Sequence, residues 1–388
     1  MMRLKTLQRI TLYIYFFSLN FEVFNLFGLS STAFITGVVY FISVIPEITS
    51  FSNISQIKKF FQPIIIFWIL LTIISIIHIN PYSSSFFDSS LLLNIILFLI
   101  IINHERKDSG VILKAIFSFA LGTAVLTLLY NLGIGIEIDG GRISIFGDNE
   151  NIIGIRLSIS IIVFFYIILE DPFSFGFWRF LLFIPIPDML MFMFATGSRL
   201  AFISFALEFV VGVIFYQTKK RWYKIILLIL AIGVSAYFFQ LMKQSEILIN
   251  RLLLTRETGD LAGRDIIWLE LMPLIKANFI WGVGETGYKA FTYRIFGGDK
   301  SPHNVILEVL SYTGIIGLLL YLNFIAKATI QSWRTFKINN YLLPLLLMIP
   351  VFGVIVGGQA LNVKIVWAIL AFAVSTVFYT NGKLGKIK

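Results

Sequence analysis

Apolar residues run in long blocks along this chain, broken by short polar connections. The blocks fall at 10–28, 31–47, 60–78, 89–103, 111–131, 152–169, 179–195, 199–216, 224–241, 304–326, 341–357 and 360–379. Each approaches the roughly 20 residues that a helix needs to cross a bilayer core. Transmembrane strands would alternate over about ten residues instead. The pattern predicts an all-α polytopic integral membrane protein, one membrane domain over 1–388, with about twelve transmembrane helices. Blocks 10–28 and 31–47 join through a tight turn, "GLSS", and 89–103 is short enough to be tilted or re-entrant. One polar segment, 242–303, is large enough to form a soluble part. Within it "GRDIIWLELMPLIKAN" sets Ile266, Ile267, Leu271 and Leu274 at helical spacing. Trp268, Trp281, Tyr288, Phe291 and Tyr293 suit a membrane interface. No internal repeat or low-complexity tract interrupts the pattern.

Composition strengthens this reading. The 388 residues are 58% hydrophobic and 13% charged, against about 25% charged in soluble domains. Mean hydropathy is +0.88. With no cysteine, disulfides, thiolate metal sites and a cysteine nucleophile are excluded. The formal charge of +10 does not point to nucleic acid, because the basic residues sit in short loops where they set orientation. With the N-terminus cytoplasmic, the inner connections hold Lys58, Lys59, Arg106, Lys107, Lys219, Lys220, Arg221, Lys327, Arg334 and Lys337. The C-terminal tail is basic too, so both termini are expected inside. The start, "MMRLKTLQRITLYIYFF", is basic and then apolar with no clear cleavage motif, and reads as an uncleaved first helix.

Basic residues on the expected outer side therefore call for a reason. Arg199 opens a span in "TGSRLAFISF". It either snorkels to headgroups or holds an anion, for which a guanidinium offers paired N–H donors. Arg142 and Arg156 bracket the loop "GGRISIFGDNENIIGIR", where Gly140 and Gly141 allow a turn. Asn149 and Asn151 there are either helix caps or amide contacts to a substrate. Arg264 either pairs with Asp260, caps its own helix or joins the same anion site. His303 follows Pro302, and Asn304 starts a helix carrying Leu307, Glu308 and Ser311. No second His or Cys stands beside His303, so metal ligation is not expected. A neutral imidazole among arginines suits a general base instead. His78 ends a span beside "INPYSSS" and suits an interfacial position, and His104 falls on the expected cytoplasmic side in "NHERKDSG". Glu22, Asp188 and Glu208 are candidate intramembrane acids, as buried partners or marks of an ion path.

Taken in order, "GGRISIFGDNEN", "TGSRLAF", "GRDIIWLELMPLIKANFIWGVGETGY" and "PHNVILEVLSYTGIIGLLLY" resemble the O-antigen polymerase and O-antigen ligase superfamily, over roughly residues 130–330. One departure is Glu150, where the family often has proline between two asparagines. The resemblance implies a glycosyltransferase C-type membrane fold in the bacterial inner membrane, with its site on the periplasmic face. The implied donor is an undecaprenyl-pyrophosphate-linked glycan, with no metal or other cofactor. Membrane lipid and a chain-length co-polymerase are further partners. It also implies phosphate binding by Arg142, Arg199 and Arg264, and a base role for His303. Asn151, Arg156 and Asn304 are further candidates for substrate contact. Polymerase and ligase differ in acceptor, another lipid-linked repeat unit or lipid A core, and polymerase is preferred. A lipid-linked oligosaccharide flippase remains the reading of another class. A catalyst gathers Arg142, Arg199 and His303 in one outward cavity, whereas a transporter spreads polar residues along a path.

Overall fold

In the computed structural model, the described residues are 2–26, 30–46, 55–82, 89–139, 141–216, 264–358 and 361–380, with isolated positions 225, 233 and 240. Most of the expected span 224–241 lies outside them, as do 242–263 with Asp260, the turn residue Gly140, and Lys219, Lys220 and Arg221.

The described chain is helical apart from two short hairpins. The first helices are α1 (Met2–Ser18), α2 (Thr32–Val44), α3 (Ser55–Ile77), α4 (Ser89–Lys107) and α5 (Val111–Asn131). Next come α6 (Glu150–Glu170), α7 (Ile186–Ala195) and α8 (Arg199–Phe215). After the undescribed segment follow α9 (Arg264–Ala277), α10 (Gly284–Phe296), α11 (Val305–Asn339), α12 (Leu343–Gly357), α13 (Lys364–Ser375) and the single turn α14 (Val377–Thr380). Among the described residues six stretches are long and apolar enough to cross a membrane: 56–77, 89–107, 111–131, 150–170, 176–195 and 305–339. Three shorter apolar helices accompany them, at 32–44, 343–357 and 364–380. This is an all-α membrane protein.

Several boundaries differ from the hydropathy blocks for local reasons. The block 10–28 is helical only to Ser18, then makes a 3-10 turn at Leu19–Phe21. Asn20 uses its side-chain amide on the Phe119 carbonyl of α5, at 2.9 Å, where the chain turns away. The following turn is a small antiparallel hairpin, β1 (Asn25–Leu26) with β2 (Ser30–Ser31). The block 179–195 is broken near Pro185: a 3-10 helix (Gly176–Phe183) precedes α7. Pro185 and Pro187 have no backbone N–H to donate to the preceding turn, so the hydrogen-bond ladder is interrupted there. Helix α11 runs past the expected end at 326 to Asn339, where Asn340 takes a left-handed C-cap.

The main core is one cluster built from α1–α8 and α11–α14, dominated by Phe, Ile and Leu. Helix α11 packs on α3, α1 on α2 and α5, α6 on α5 and α8, and α8 on α12. Small residues let these helices approach, as expected where packing rather than water exclusion drives association. At Gly154 of α6, an added Cβ would lie 2.6 Å from the Ala201 Cβ and 3.0 Å from the Ser198 Cβ. That closeness seats the first turn of α8 against α6.

Helices α9 and α10 carry a second, smaller core of Leu271, Ile275, Val283 and Tyr288. The inward face of α9 is therefore rotated from the expected stripe: Ile266 is 59% exposed. Of the aromatics expected at an interface, Trp281 and Tyr293 are exposed, but Tyr288 and Phe291 turn into this core. The loop between α9 and α10 docks into a break in α11. Gly314 (φ 61, ψ −162) interrupts that helix. The freed backbone groups find partners across the break. The Val283 N–H donates to the Ser311 carbonyl at 2.9 Å, and the Ile315 N–H to Phe279 at 2.8 Å. Non-helical backbone among membrane helices persists only when satisfied in this way.

Candidate functional site

Four elements converge at one end of the bundle. A hairpin, β3 (Ile136–Asp139) paired antiparallel with β4 (Arg142–Ile145), opposes Asp139 to Arg142. The chain then enters α6 through Asn149, whose side chain caps the helix by accepting from the Asn151 and Ile152 N–H groups. Ser198 caps α8 by accepting from Ala201, which puts Arg199 at the first helical position. Asn304 caps α11 by accepting from Ile306 at 3.0 Å and Leu307 at 3.2 Å.

Arg142, Asn149, Asn151, Arg199, Arg264 and His303 line a single cavity of about 380 Å³, closed by Leu200, Ile203 and Gly357. A contiguous hollow of about 70 Å³ shares Asn149, Asn151 and His303 and extends to Ile155, Val354, Gly358 and Val363. Among the described residues no Asp or Glu lines either space. Three guanidinium groups with no carboxylate in the wall make an electropositive recess, which suits an oxyanion.

The arginines are held rather than loose. Arg142 donates from Nε to the Thr196 carbonyl and from a terminal nitrogen to Asn151 Oδ1, each at 3.0 Å. Its other nitrogen lies 3.2 Å from Glu150. The residue that departs from the family pattern thus fixes Arg142 from outside the cavity wall. Arg264 donates to the Gly357 carbonyl at 3.3 Å.

His303 sits in a braced loop. The Trp268 indole donates to the Pro302 carbonyl at 2.8 Å, and the Tyr288 hydroxyl to the Lys300 carbonyl at 2.6 Å. The His303 N–H donates to Ser301 Oγ at 3.1 Å. Its backbone is left-handed, φ 49, an uncommon setting for a non-glycine residue. Burial, and then the charge of Arg264, hold the imidazole below its ordinary pKa. It is therefore neutral at pH 7 and able to accept a proton.

Residues 188–322 match the O-antigen ligase family. Over that segment the chain is similar to the O-antigen ligase and polymerase superfamily. The match holds Arg199, Arg264, His303 and Asn304, and lies inside the stretch whose motifs resemble that superfamily. At the level of class, the match supports a membrane enzyme of the O-antigen ligase or polymerase type. No curated protein matches the chain.

Two expected contact residues stand apart from the cavity of this O-antigen ligase-type segment and its neighbours. Arg156 is buried in α6 and pairs with Asp148, with Glu22 at 3.7 Å. Asn304 spends its carbonyl oxygen on capping α11. Gly357 and Gly358 were not expected at the site, although "VGGQALN" carries the adjacent glycines that let backbone approach a ligand. Of the other histidines, His104 meets the Tyr40 hydroxyl at 3.1 Å, and the His78 carbonyl accepts from Asn80. Asp188 accepts from Asn131 and Glu208 from Ser158.

A larger cleft of about 620 Å³ lies toward the opposite ends of α6 and α8, lined by residues 162–170 and 208–216 among others. Among the described residues its wall is mainly apolar, with Glu170 and Glu208.

Proposed function

We propose that this chain is a membrane glycosyltransferase that joins undecaprenyl-pyrophosphate-linked oligosaccharide repeat units into O-antigen or a related surface polysaccharide. One observation carries the reading: Arg142, Arg199, Arg264 and His303 line one recess with no carboxylate among the described residues of its wall. In this reading the fold is of the glycosyltransferase C type with about twelve spans. Both termini are cytoplasmic and the recess opens to the periplasm.

The arginines hold the donor pyrophosphate. Charge develops on it as the bond from the anomeric carbon to the phosphate oxygen breaks, and preorganised cations stabilise that charge. The acceptor hydroxyl attacks the anomeric carbon from the opposite face, with inversion. Its proton passes to the neutral His303 imidazole, and lipid pyrophosphate leaves. The lipid anchor fixes the donor at the membrane surface, so orientation supplies part of the rate. A transporter would carry polar groups along a path through the bundle, and the clustering at one end favours catalysis.

A second reading has its own support. The matching family is described as O-antigen ligase, whose transfer would deliver the glycan to lipid A core with the same donor chemistry. Glycan products from cells carrying His303→Ala or Arg199→Ala, at matched protein levels, separate the outcomes. Accumulation of single lipid-linked repeat units supports polymerase. Long chains retained on the lipid carrier support ligase. Normal glycan in both variants removes the catalytic reading.

A further inference from the structure

Beside the recess, four charges alternate in a row. Asp148 pairs with Arg156, Arg156 lies 3.7 Å from Glu22, and Glu22 pairs with Lys364. They come from four places: the loop before α6, α6 itself, the turn after α1 and the first residue of α13. Arg156 is 3% exposed and Asp148 13%. The row sums to zero charge. A buried ion pair is poor support for stability, because desolvation consumes most of the attraction. Such groups are rare among membrane helices unless they serve a function.

The position suggests which function. Asp148 precedes Asn149, Arg156 follows Ile155, and Lys364 follows Val363. Asn149, Ile155 and Val363 all line the hollow of about 70 Å³ that adjoins His303. The row therefore ties together the two walls of that hollow, one from the start of α6 and one from the segment entering α13.

We propose that Arg156, Glu22 and Lys364 are positioning residues that set the width of the hollow beside His303, where the attacking sugar hydroxyl is received. The part concerning the hydroxyl rests on the function proposed above; the wall spacing does not. Arg156 then acts through the wall it braces rather than on the phosphate.

The absence of cysteine allows a test that needs no activity. Ile152→Cys and Val363→Cys place a thiol on each wall, and bifunctional thiol reagents of graded length read the distance between them. Lys364→Met and Glu22→Gln are added separately to this background, with Lys364→Arg as the conservative variant. The expected result is a change in the best-linking length in Lys364→Met and Glu22→Gln, and none in Lys364→Arg. In the cysteine-free chain, turnover should fall by about tenfold to a hundredfold in Lys364→Met while KM for the lipid-linked donor holds, and Lys364→Arg should restore it. An unchanged linking profile overturns the proposal, as does full turnover in folded Lys364→Met and Glu22→Gln. A shifted profile in a protein whose native form transfers no glycan keeps the spacing role and removes the functional reading instead.

Discussion

The Trp268 indole donates to the Pro302 carbonyl at 2.8 Å, one residue before His303. This bond ties α9 to the loop that presents the imidazole. One hydrogen bond contributes about 0.5–1.5 kcal/mol net, too little to decide folding but enough to let a loop shift. Trp268→Phe should keep protein levels and reduce glycan transfer by about tenfold, since a 1 Å misplacement of a reacting group costs up to about a hundredfold. Product length and yield at matched expression measure it. Unchanged transfer would mean that Tyr288 and Ser301 hold the loop alone.

The pH profile follows from the environment of His303. Burial and Arg264 lower its pKa, so the neutral, proton-accepting form persists below the ordinary histidine value of about 6.5. Transfer should stay level around neutrality and fall only on the acid side. In Arg264→Gln one of the two lowering causes is gone, so the acid limb should move to higher pH. The rate of glycan transfer against pH in native protein and Arg264→Gln provides the check. A limb that stays in place would separate Arg264 from the titrating group.

Much of this arrangement could be read from the chain before any coordinates. Arg142, Arg199, Arg264 and His303 stood out because positive charge and a lone imidazole lie where orientation disfavours bases, and they meet in one cavity. Arg156 stands out on the same ground but lies outside the cavity, paired with Asp148 near in sequence and Glu22 far from it, which only folding reveals. Helix ends set by proline or capping asparagine were also hidden, since hydropathy averages over the residues that stop a helix. The break in α11 at Gly314 could not be inferred from an apolar run, because the cause is the separate loop 278–284 packed against it.

That break yields a sharp stability prediction. Gly314 adopts φ 61, and a Cβ there would lie 2.2 Å from the Ile280 carbonyl oxygen. Gly314→Ala combines backbone strain of about 1–3 kcal/mol with a collision against backbone that cannot swing aside. It should lower the melting temperature in detergent and cut expression. Gly298→Ala is the control, as nothing lies within 4 Å of the added Cβ. Equal melting temperatures for the two variants would contradict the close approach.

Arg142→Lys tests whether planar geometry or charge alone matters at the recess. Arg142 reaches Thr196, Asn151 and Glu150 at once. A lysine keeps the charge but cannot hold three partners from a rigid fork. The hairpin β3–β4 would lose its tie to Asn151, while attraction for a phosphate would persist in part. The expected result is a rise in KM for the lipid-linked donor by about tenfold, with a smaller fall in turnover, and Arg142→Ala should lose more on both. If the lysine variant matches native protein in both constants, Arg142 acts only as a point charge, and the contacts to Thr196 and Asn151 do not prepare it for the substrate.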